Sequence, residues 1–380
     1  MLFRSSSSMT DSIIHIITTL ERGGAENQLR ILIEEQAKHG HKIICIPLKG
    51  NPELDQILSA SGVLVKANFR NMKIYTQIFE LYKLLKSGNF VLHAHLPRAE
   101  LIAAAASFFL KNRKFVVSRH NSEPFFPSAP ALLSKFLSRI VTRISKNVVF
   151  ISEAVKIYCI SNNEISAKAS SQVVLYGYKE NNCEISQKEI FNFRKLENFV
   201  IENHLIIGTV SRLEKQKDLK TLIEAFNISY SKNTKLKLVI VGDGSQKQEL
   251  INFVDELGLQ DSVVFYGKSQ CVTTVMKTFK VFVLSSIYEG FGLVLLEAAS
   301  TGIPIIAANN SAIPEVTGRD YMGLFETSNI YRLSEKIDMF INDPTVAAKS
   351  KELMSARVEL FDVMMMESNM DSVYESMAIN

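Results

Sequence analysis

The chain has 380 residues, of which 47% are hydrophobic and 22% are charged, and its formal net charge is +4 at pH 7. This composition excludes a disordered chain, and the length is that of a soluble protein with two domains. The four cysteines, Cys45, Cys159, Cys183 and Cys271, include no closely spaced pair. Their spacing argues against a disulfide framework or a zinc site, and it is typical of a reducing compartment.

The two halves of the chain differ in charge. Residues 1–200 carry 26 Lys and Arg against 16 Asp and Glu, whereas residues 201–380 carry 17 against 23, so the halves are expected to face different partners. The longest apolar run, Leu101–Leu110, is about half as long as a membrane-spanning helix, and no signal-peptide pattern is visible. We therefore expect a cytoplasmic protein, at most docked on the inner face of the membrane.

Short β-branched runs alternate with amphipathic helical stretches along the chain, which is typical of parallel α/β domains. The predicted strands include SIIHIIT, HKIICIP, NFVLHAH, KFVVSRH, NVVFIS and SQVVLY in the first half, and HLIIGTVS, LKLVIVG, SVVFYG, KVFVLS and IPIIAA in the second. We predict two Rossmann-like, doubly wound domains facing a central cleft. The predicted segments are an acceptor-side domain (9–180), a linker (181–199), a nucleotide-sugar domain (200–365) and a helix returning to the first domain (366–380).

Ligands of such sheets bind beyond the carboxyl ends of the strands, so motifs that directly follow strands are candidate sites. Gly23 and Gly24 follow the first strand and enter a helix, where the backbone can approach a phosphate closely, although many such pairs are only turns. His95 and His120 each end a strand and either line a site or are simply hydrogen-bonded. Asn121 and Glu123 are candidates for recognising an acceptor.

The histidine pair His93 and His95 has no third ligand nearby in the sequence, so a metal is not expected there. Residues 131–146 form an amphipathic helix with Lys135, Arg139 and Arg143 on one stripe. Such a helix can lie on an anionic membrane, or it can pack its apolar face on the sheet and expose only its basic face; both interpretations stay open. Nucleic acid is not expected as a partner, because the second half is acidic and lacks interleaved aromatic and basic residues.

Two motifs of the second half follow strands and carry cations or glycines. Arg212 and Lys217 lie on one loop, where they can stabilise a diphosphate leaving group without a metal. Gly242 and Gly244 begin a turn that resembles a dinucleotide fingerprint, but Lys247 stands where the third glycine belongs, so the fingerprint fails.

The strongest signal is the segment Glu289-Gly-Phe-Gly-Leu-Val-Leu-Leu-Glu297, directly after the strand VFVLSS. Its glycines make a tight turn into a helix that ends near Gly302. The backbone N–H groups of Gly292, Leu293 and Val294 at the helix start can hold phosphate oxygens. Glu289 and Glu297 can accept hydrogen bonds from sugar hydroxyls.

With these motifs the chain resembles the retaining GT-B glycosyltransferases of the family 4 type (glycosyl transferases group 1), whose shared motif is a Glu, seven residues and a second Glu. The resemblance extends from about Asp11 to about Met365. It implies that Glu289 contacts the donor sugar and Glu297 the nucleotide ribose, and that Arg212 and Lys217 stabilise the departing diphosphate. It also implies that His120 lies near the transferred sugar. Gly24 and Gly242 are expected beside the donor.

The resemblance implies transfer of a sugar, with retention, from a nucleotide-diphosphate-sugar, most simply a UDP-sugar. The expected acceptor is a glycan or a lipid-linked molecule of surface polysaccharide biosynthesis, and neither a cofactor nor a metal is expected. Where many relatives carry an Asn-Gly pair followed by an acid, this chain has Tyr176, Gly177 and Lys179, which leaves the acceptor side in doubt. The alternatives are another GT-B enzyme, such as a phosphorylase or a sugar-nucleotide epimerase, and a non-catalytic nucleotide-sugar-binding module.

Overall fold

The chain divides into two α/β units, each built on one parallel sheet. The first unit runs to Gly177 and includes the chain from Phe361 onward, and the second is Tyr178–Leu360. The computed structural model describes residues 12–377 except Arg22, Glu53, 111–113, Asn181, Asn182, Glu184 and Lys188.

The first unit alternates strands with helices, as its sequence pattern predicts. Its strands are β1 (Ser12–Thr19), β2 (Ile43–Lys49), β3 (Leu64–Val65), β4 (Phe90–His95), β5 (Lys114–Arg119), β6 (Asn147–Phe150) and β7 (Ser170–Val173). Its helices before Gly177 are α1 (Gly24–Lys38), α2 (Asp55–Ala60), α3 (Ile74–Lys86), α4 (Pro97–Ser107), α5 (Ala131–Ser145) and α6 (Glu153–Ser161), with a 3₁₀ helix at Ala67–Asn71.

The sheet of the first unit has the strand order β3-β2-β1-β4-β5-β6-β7, and every pairing is parallel. Its central strands read as continuous apolar runs because helices cover both faces of the sheet. The strand order reverses between β1 and β4, so their carboxyl ends form the topological switch point where ligands of such folds bind. The loop with Gly24 and the residue His95 lie at this point.

The second unit repeats the plan with six strands. They are β8 (Leu205–Val210), β9 (Leu236–Val241), β10 (Val263–Gly267), β11 (Val281–Leu284), β12 (Ile305–Ala308) and β13 (Leu324–Phe325). The helices are α7 (Ile190–Ile201), α8 (Leu219–Lys232), α9 (Lys247–Glu256), α10 (Val272–Met276), α11 (Leu293–Ser300), α12 (Ile313–Thr317), α13 (Ile330–Asn342) and α14 (Pro344–Val358), with a 3₁₀ turn at Lys215–Lys217.

The second sheet has the order β10-β9-β8-β11-β12-β13, again with only parallel pairings. Its switch point lies between β8 and β11. The Arg212 loop follows β8 and the Glu289 loop follows β11, so the two strongest sequence motifs flank this point. The prediction of two Rossmann-like domains is therefore confirmed.

The final helix, α15 (Val363–Ser376), belongs to the first unit and packs against α1. Side-chain caps fix the start of several helices: Asp343 accepts hydrogen bonds from the N–H groups of Thr345 and Val346 at the start of α14, and Ser152 accepts one at the start of α6. Within the described residues, no helix combines the length and the apolar character that crossing a membrane requires.

Three features differ from the sequence-based expectations. Much of the polar segment 181–199 is helical, because α7 buries Leu196 completely. The two-residue strands β3 and β13 extend the sheet edges and are too short to show a pattern in the sequence. Cys183 and Cys271 are disulfide-bonded, with Cα atoms 5.6 Å apart, so the expectation that the cysteines form no bridge is wrong. Their separation of 88 residues hides a proximity that the fold creates.

Candidate functional site

In the second unit, the motifs after β8 and β11 meet in one ion pair. Lys217 Nζ lies 2.6 Å from Glu289 Oε1, and both side chains are about nine-tenths buried. Ser286 donates a second hydrogen bond to the same oxygen, at 2.6 Å. Both contacts use Oε1, so Oε2 keeps its acceptor capacity, and no bond to Oε2 is formed within the described part of the chain.

The backbone around Glu289 is fixed by side chains from neighbouring loops. The N–H of Glu289 donates to Ser311 Oγ at 2.7 Å, and Gln216 Nε2 donates to the carbonyl of Tyr288 at 2.7 Å. Ser285 Oγ donates to the carbonyl of Lys217, also at 2.7 Å. The loop is thus locked to its neighbours, and a rigid carboxylate of this kind can orient a ligand hydroxyl.

The glycine turn after Glu289 starts helix α11 as the sequence predicts. Gly292 has φ of 92°, a left-handed conformation that glycine adopts without strain. The N–H groups of Gly292, Leu293 and Val294 find no acceptor among the described residues, and they point out of the first helical turn. This helix start, beside the Lys217–Glu289 pair, can hold an anionic group.

Glu297 lies on α11, and it forms no ion pair with a residue that the structure describes. Burial raises the pKa of its carboxyl to about 7, and no cation lowers it again. Ser300 lies one helical turn after Glu297, and it forms a hydrogen bond of 2.7 Å with Tyr178 of the second unit. A carboxyl with this environment can accept a hydrogen bond from a neutral hydroxyl, such as that of a ribose, more readily than it can bind an anion.

Arg212 is exposed on the loop after β8, and its guanidinium forms no ion pair with a residue that the structure describes. The loop itself rests on the glycine turn after β9. A Cβ atom at Gly242, whose φ is 138°, would overlap the carbonyl oxygen of Ser211, and one at Gly244 would overlap that of Leu213. Gly242 therefore supports the Arg212 loop by close backbone contact, a role that the sequence reading does not include.

In the first unit, three buried histidines form a hydrogen-bonded ladder. Gln36 Oε1 lies 2.9 Å from His15 Nε2, His15 Nδ1 lies 3.1 Å from His95 Nε2, and His95 Nδ1 lies 3.1 Å from His120 Nε2. The last ring nitrogen, His120 Nδ1, bonds the hydroxyl of Tyr176. Because the amide oxygen of Gln36 can only accept a hydrogen bond, each imidazole must donate its N–H to the neighbour on the Gln36 side. One arrangement of protons therefore satisfies every hydrogen bond of the ladder.

Burial keeps the ladder neutral. It lowers the pKa of His15 to about 4 and that of His120 to about 3, and it holds the pKa of His95 well below its ordinary value. A fourth buried histidine, His93, lies with its ring centre 4.0 Å from that of His95, and it bonds Ser118 Oγ at 2.7 Å and the Tyr374 hydroxyl at 2.8 Å. The expectation that His93 and His95 lack a third histidine is wrong, because β1 places His15 beside them.

This ladder changes the interpretation of two sequence features. His95 and His120 are both buried, and both ring nitrogens of each are used within the first unit. Tyr176, noted in the sequence as a departure from the resembled family's pattern, completes the ladder with its hydroxyl. A tyrosine here therefore fits this chain's own histidines.

A cavity of about 160 Å³ lies in the first unit next to His120. Asn121 and Glu123 line it, together with the buried residues Glu100, Arg119 and Glu164. Arg119 Nη2 lies 3.1 Å from Glu100 Oε2, and burial raises the pKa of Glu100 to about 7, although the arginine opposes this. The Arg119 Nε atom is buried without a hydrogen-bond partner in the described structure. The cavity therefore presents donors and acceptors to a polar ligand.

Leu96 connects β4 to α4 at the edge of this cavity with φ of 71°, which is strained for a leucine. Gly24 begins α1, and a Cβ at Gly23 would overlap the Glu26 carboxylate, which bonds Thr19 Oγ1 at 2.8 Å. The first turn of α1 thus holds an acid close to the glycines. Sequence reasoning missed Glu26, Arg119 and Glu100 as site residues, because single charged residues inside helices and strands give no motif.

Helix α5 turns most of its predicted apolar face outward, although Val141 is buried. Leu132 is 84% exposed and Phe136 is 60% exposed, whereas Ser134, Ser138 and Thr142 are buried. The inward hydroxyls are required by buried polar groups: Ser138 accepts a hydrogen bond from Arg119 at 3.0 Å and donates one to the carbonyl of Glu164 at 2.8 Å. The interpretation in which α5 packs its apolar face on the sheet is therefore wrong.

The chain matches two family models. Residues 22–170 match Glycosyltransferase Family 4, and residues 192–357 match Glycosyl transferases group 1. Among curated proteins, the capsular polysaccharide biosynthesis glycosyltransferase CapM of Staphylococcus aureus is 24% identical over 81% of this chain and 83% of its own length. A Campylobacter jejuni protein, N-acetylgalactosamine-N,N'-diacetylbacillosaminyl-diphospho-undecaprenol 4-alpha-N-acetylgalactosaminyltransferase, is 29% identical over 44% of this chain and 46% of its own.

Solved structures share the fold over almost the whole chain. Anabaena HepE in complex with UDP-glucose has a TM-score of 0.78 at 20% identity and covers 96% of this chain and 99% of its own. Together with the two parallel sheets, this likeness shows a GT-B fold. The two family models and the similarity to CapM show that the molecule is a glycosyltransferase enzyme. The chain belongs to the group 1 glycosyltransferases, with an N-terminal domain of the family 4 type. The resemblance inferred from the Glu289 and Arg212 motifs is confirmed.

Proposed function

We propose that the protein transfers a sugar, with retention of anomeric configuration, from a UDP-sugar to a glycan or lipid-linked acceptor of surface polysaccharide biosynthesis. The observation that carries the donor assignment is the Lys217–Glu289 pair beside the start of α11. Two relatives support the setting, since CapM is named for capsular polysaccharide and the Campylobacter protein for a diphospho-undecaprenol acceptor. HepE was solved with UDP-glucose, which favours a uracil base.

In the proposed donor site, each group has one task. The N–H groups of Gly292, Leu293 and Val294 receive the diphosphate, and Arg212 and Lys217 balance the charge that grows on it as the bond to the sugar breaks. An ammonium has three donors, so Lys217 can keep its contact with Glu289 and still reach a phosphate oxygen. Glu289 Oε2 accepts a hydroxyl of the sugar, and Glu297 accepts a hydroxyl of the ribose.

These two cations supply the charge that a metal supplies in other glycosyltransferases, so we propose that transfer proceeds in EDTA. On the first unit, the cavity beside His120 is the proposed acceptor-side pocket, with Asn121 and Glu123 at its lining. Both nitrogens of His120 are already bonded, so its proposed role is to shape this pocket through the ladder and Tyr176.

A donor and acceptor screen tests the proposal. UDP-sugars are incubated in EDTA with lipid-diphosphate-linked glycans, and NMR compares the anomeric configuration of donor and product. We expect the same configuration in both, and an inverted product would contradict retention.

Lys217→Ala is expected to lose about 10²-fold or more in kcat. Lys215→Ala, a change to an exposed lysine of the same turn, is the matched control and should stay near wild type. A sugar-nucleotide product formed without acceptor would instead indicate an epimerase.

We also propose that α5 docks the enzyme on an anionic membrane at the inner face. Leu132, Leu133, Phe136 and Ile140 are exposed beside Arg139 and Arg143, so the helix offers an apolar edge together with cations. Apolar side chains enter the interface while Lys and Arg attract acidic headgroups. An enzyme docked in this way would bind a lipid-linked acceptor at the membrane surface.

Co-sedimentation with vesicles tests the docking. Vesicles with phosphatidylglycerol should bind the protein, and pure phosphatidylcholine vesicles should bind it more weakly. The double change Leu132→Ser with Phe136→Ser is expected to lower binding, and so is Arg139→Glu with Arg143→Glu. Lys351→Glu, an exposed position on α14 in the second unit, is the control. Equal binding by the α5 variants and wild type would contradict this docking surface.

A further inference from the structure

A second group of histidines and acids lies away from the donor motifs, where the final helix meets the first unit. His39 and His41 flank Gly40 at the turn between α1 and β2, and α15 brings Glu367 and Asp371 to them. The two acids are four residues apart, so they lie on successive turns of one helix face. None of the four residues belongs to the proposed transfer site.

The distances among His41, Glu367 and Asp371 suit ligands around one ion, and His39 contacts Glu367 at the edge of this group. His41 Nε2 lies 3.0 Å from Asp371 Oδ2 and 3.9 Å from Glu367 Oε1, and His39 Nδ1 lies 3.2 Å from Glu367 Oε1. One atom each from His41, Glu367 and Asp371 all lie within 4.8 Å of one another. Ligands about 2.0–2.1 Å from a tetrahedral zinc ion are themselves about 3.3–3.4 Å apart.

The charges of the group also favour a cation. The carboxylates of Glu367 and Asp371 repel each other, and the Glu367 side chain is only 8% exposed. The Oδ1 atom of Asp371 is buried and has no hydrogen-bond partner in the described structure. A divalent ion would neutralise both acids, and a bidentate carboxylate would use that remaining oxygen.

The other histidine group of the first unit provides a contrast. His15, His93 and His95 also bring their nitrogens within 4.8 Å of one another. Each of their six ring nitrogens, however, already has a hydrogen-bond partner, and the rings are fully or almost fully buried. A metal there would break several of these bonds. At the α15 contact, His39 is 42% exposed and gives an ion access from solvent.

We propose that His39, His41, Glu367 and Asp371 bind one divalent transition-metal ion, best matched by Zn²⁺, which fastens α15 to the turn after α1. Two imidazoles and two carboxylates suit Zn²⁺ better than Mg²⁺, which prefers an all-oxygen, octahedral shell. The ion would stabilise the first unit, because it links two segments more than 300 residues apart in the sequence. The proposal does not depend on the proposed transfer reaction.

Calorimetric titration of the metal-stripped full-length protein with Zn²⁺ tests the site. We expect one equivalent to bind, and thermal unfolding to move to higher temperature in Zn²⁺ than in EDTA. His41→Asn and Asp371→Asn should each weaken Zn²⁺ binding at least about 10-fold. His204→Asn is the matched control and should bind as wild type does, since His204 is a 24% exposed histidine 3.4 Å from the carboxylate of Glu202 in the second unit.

Two results would overturn the site. One is folded wild-type protein that binds no Zn²⁺ at micromolar concentrations. The other is Zn²⁺ binding that the His41 and Asp371 changes leave intact. If either of those changes unfolds the protein, His39→Gln serves in its place, because this exposed residue contributes little packing. Co²⁺ substitution adds a spectroscopic check: the visible absorption of a tetrahedral site should appear in wild type and be lost or altered in His39→Gln.

Discussion

The two units use the same sheet plan but build their candidate sites differently. In the second unit, two short loops at one switch point supply Lys217, Glu289 and Arg212, and each loop is a continuous motif. In the first unit, the ladder from Gln36 to Tyr176 collects single residues from α1, β1, β4, the end of β5 and the segment after β7. The first arrangement can be found by reading the sequence, whereas the second exists only once the sheet has formed.

The largest expected effect concerns the loop-built site. Glu289→Gln removes the charge that faces Lys217 and weakens the proposed contact to the sugar, so we expect kcat to fall about 10²–10³-fold. Steady-state transfer assays measure the loss. The double variant with Lys217→Met should lose much less than the product of the single losses, because the two groups act as one unit. Independent, multiplicative losses would show that the pair does not work together.

The support beneath that loop can be tested separately. Gly242→Ala should destabilise the second unit by about 3 kcal/mol or more, because its φ of 138° is strained for alanine and the Cβ meets the Ser211 carbonyl. Gly258→Ala is the control: its φ is also positive, at 67°, but no atom lies within 4 Å of the added Cβ. Its cost should be about 1 kcal/mol. Urea unfolding measures the loss of stability in each variant. Equal losses in Gly242→Ala and Gly258→Ala would contradict the proposed support of the Arg212 loop by Gly242.

The ladder of the first unit predicts acid sensitivity. Its histidines have folded-state pKa values lowered from about 6.5, to about 4 in His15 and about 3 in His120, so the unfolded state binds more protons below pH 6.5. Stability should therefore fall as the pH drops from about 6.5 toward 4. His15→Leu should flatten this slope, while it costs about 1–3 kcal/mol at pH 7 by leaving partners unbonded. Unfolding at several pH values measures both, and an unchanged slope would contradict a neutral ladder.

The smallest expected effect concerns Glu297, where one substitution should raise stability and weaken nucleotide binding. Its folded-state pKa of about 7 lies above the ordinary value of 4.5, so ionisation is penalised in the fold and stability falls as the pH rises from about 4.5 to 7. Glu297→Gln should thus raise the unfolding free energy at pH 8 by about 1 kcal/mol, while it weakens nucleotide binding. Thermal unfolding and titration with UDP provide the two measurements. A variant that is less stable at pH 8 would contradict the burial argument.

Sequence reasoning was most reliable where chemistry follows a strand directly. The Glu289 and Arg212 loops were identified because a buried strand, a turn and a helix start are all visible in one segment. Tyr176 was noted only as a departure, since its partner His120 is 56 residues away. The sequence left two interpretations of α5 open, because nothing in it shows that Ser138 is buried and hydrogen-bonded to Arg119 and Glu164. Cys183 and Cys271 were missed for the same reason of distance along the chain.

The most direct test of the account is calorimetric titration of wild type, Lys217→Ala and Lys215→Ala with UDP and UDP-glucose in EDTA. The account predicts that wild type and Lys215→Ala bind both ligands with similar affinity, and that Lys217→Ala binds them at least about 10-fold more weakly because a charge-assisted phosphate contact is lost. Folded wild-type protein that binds neither ligand would contradict the proposed UDP-sugar donor. Binding that Lys217→Ala leaves unchanged would contradict the central claim, that the donor lies on the loops joined by Lys217 and Glu289.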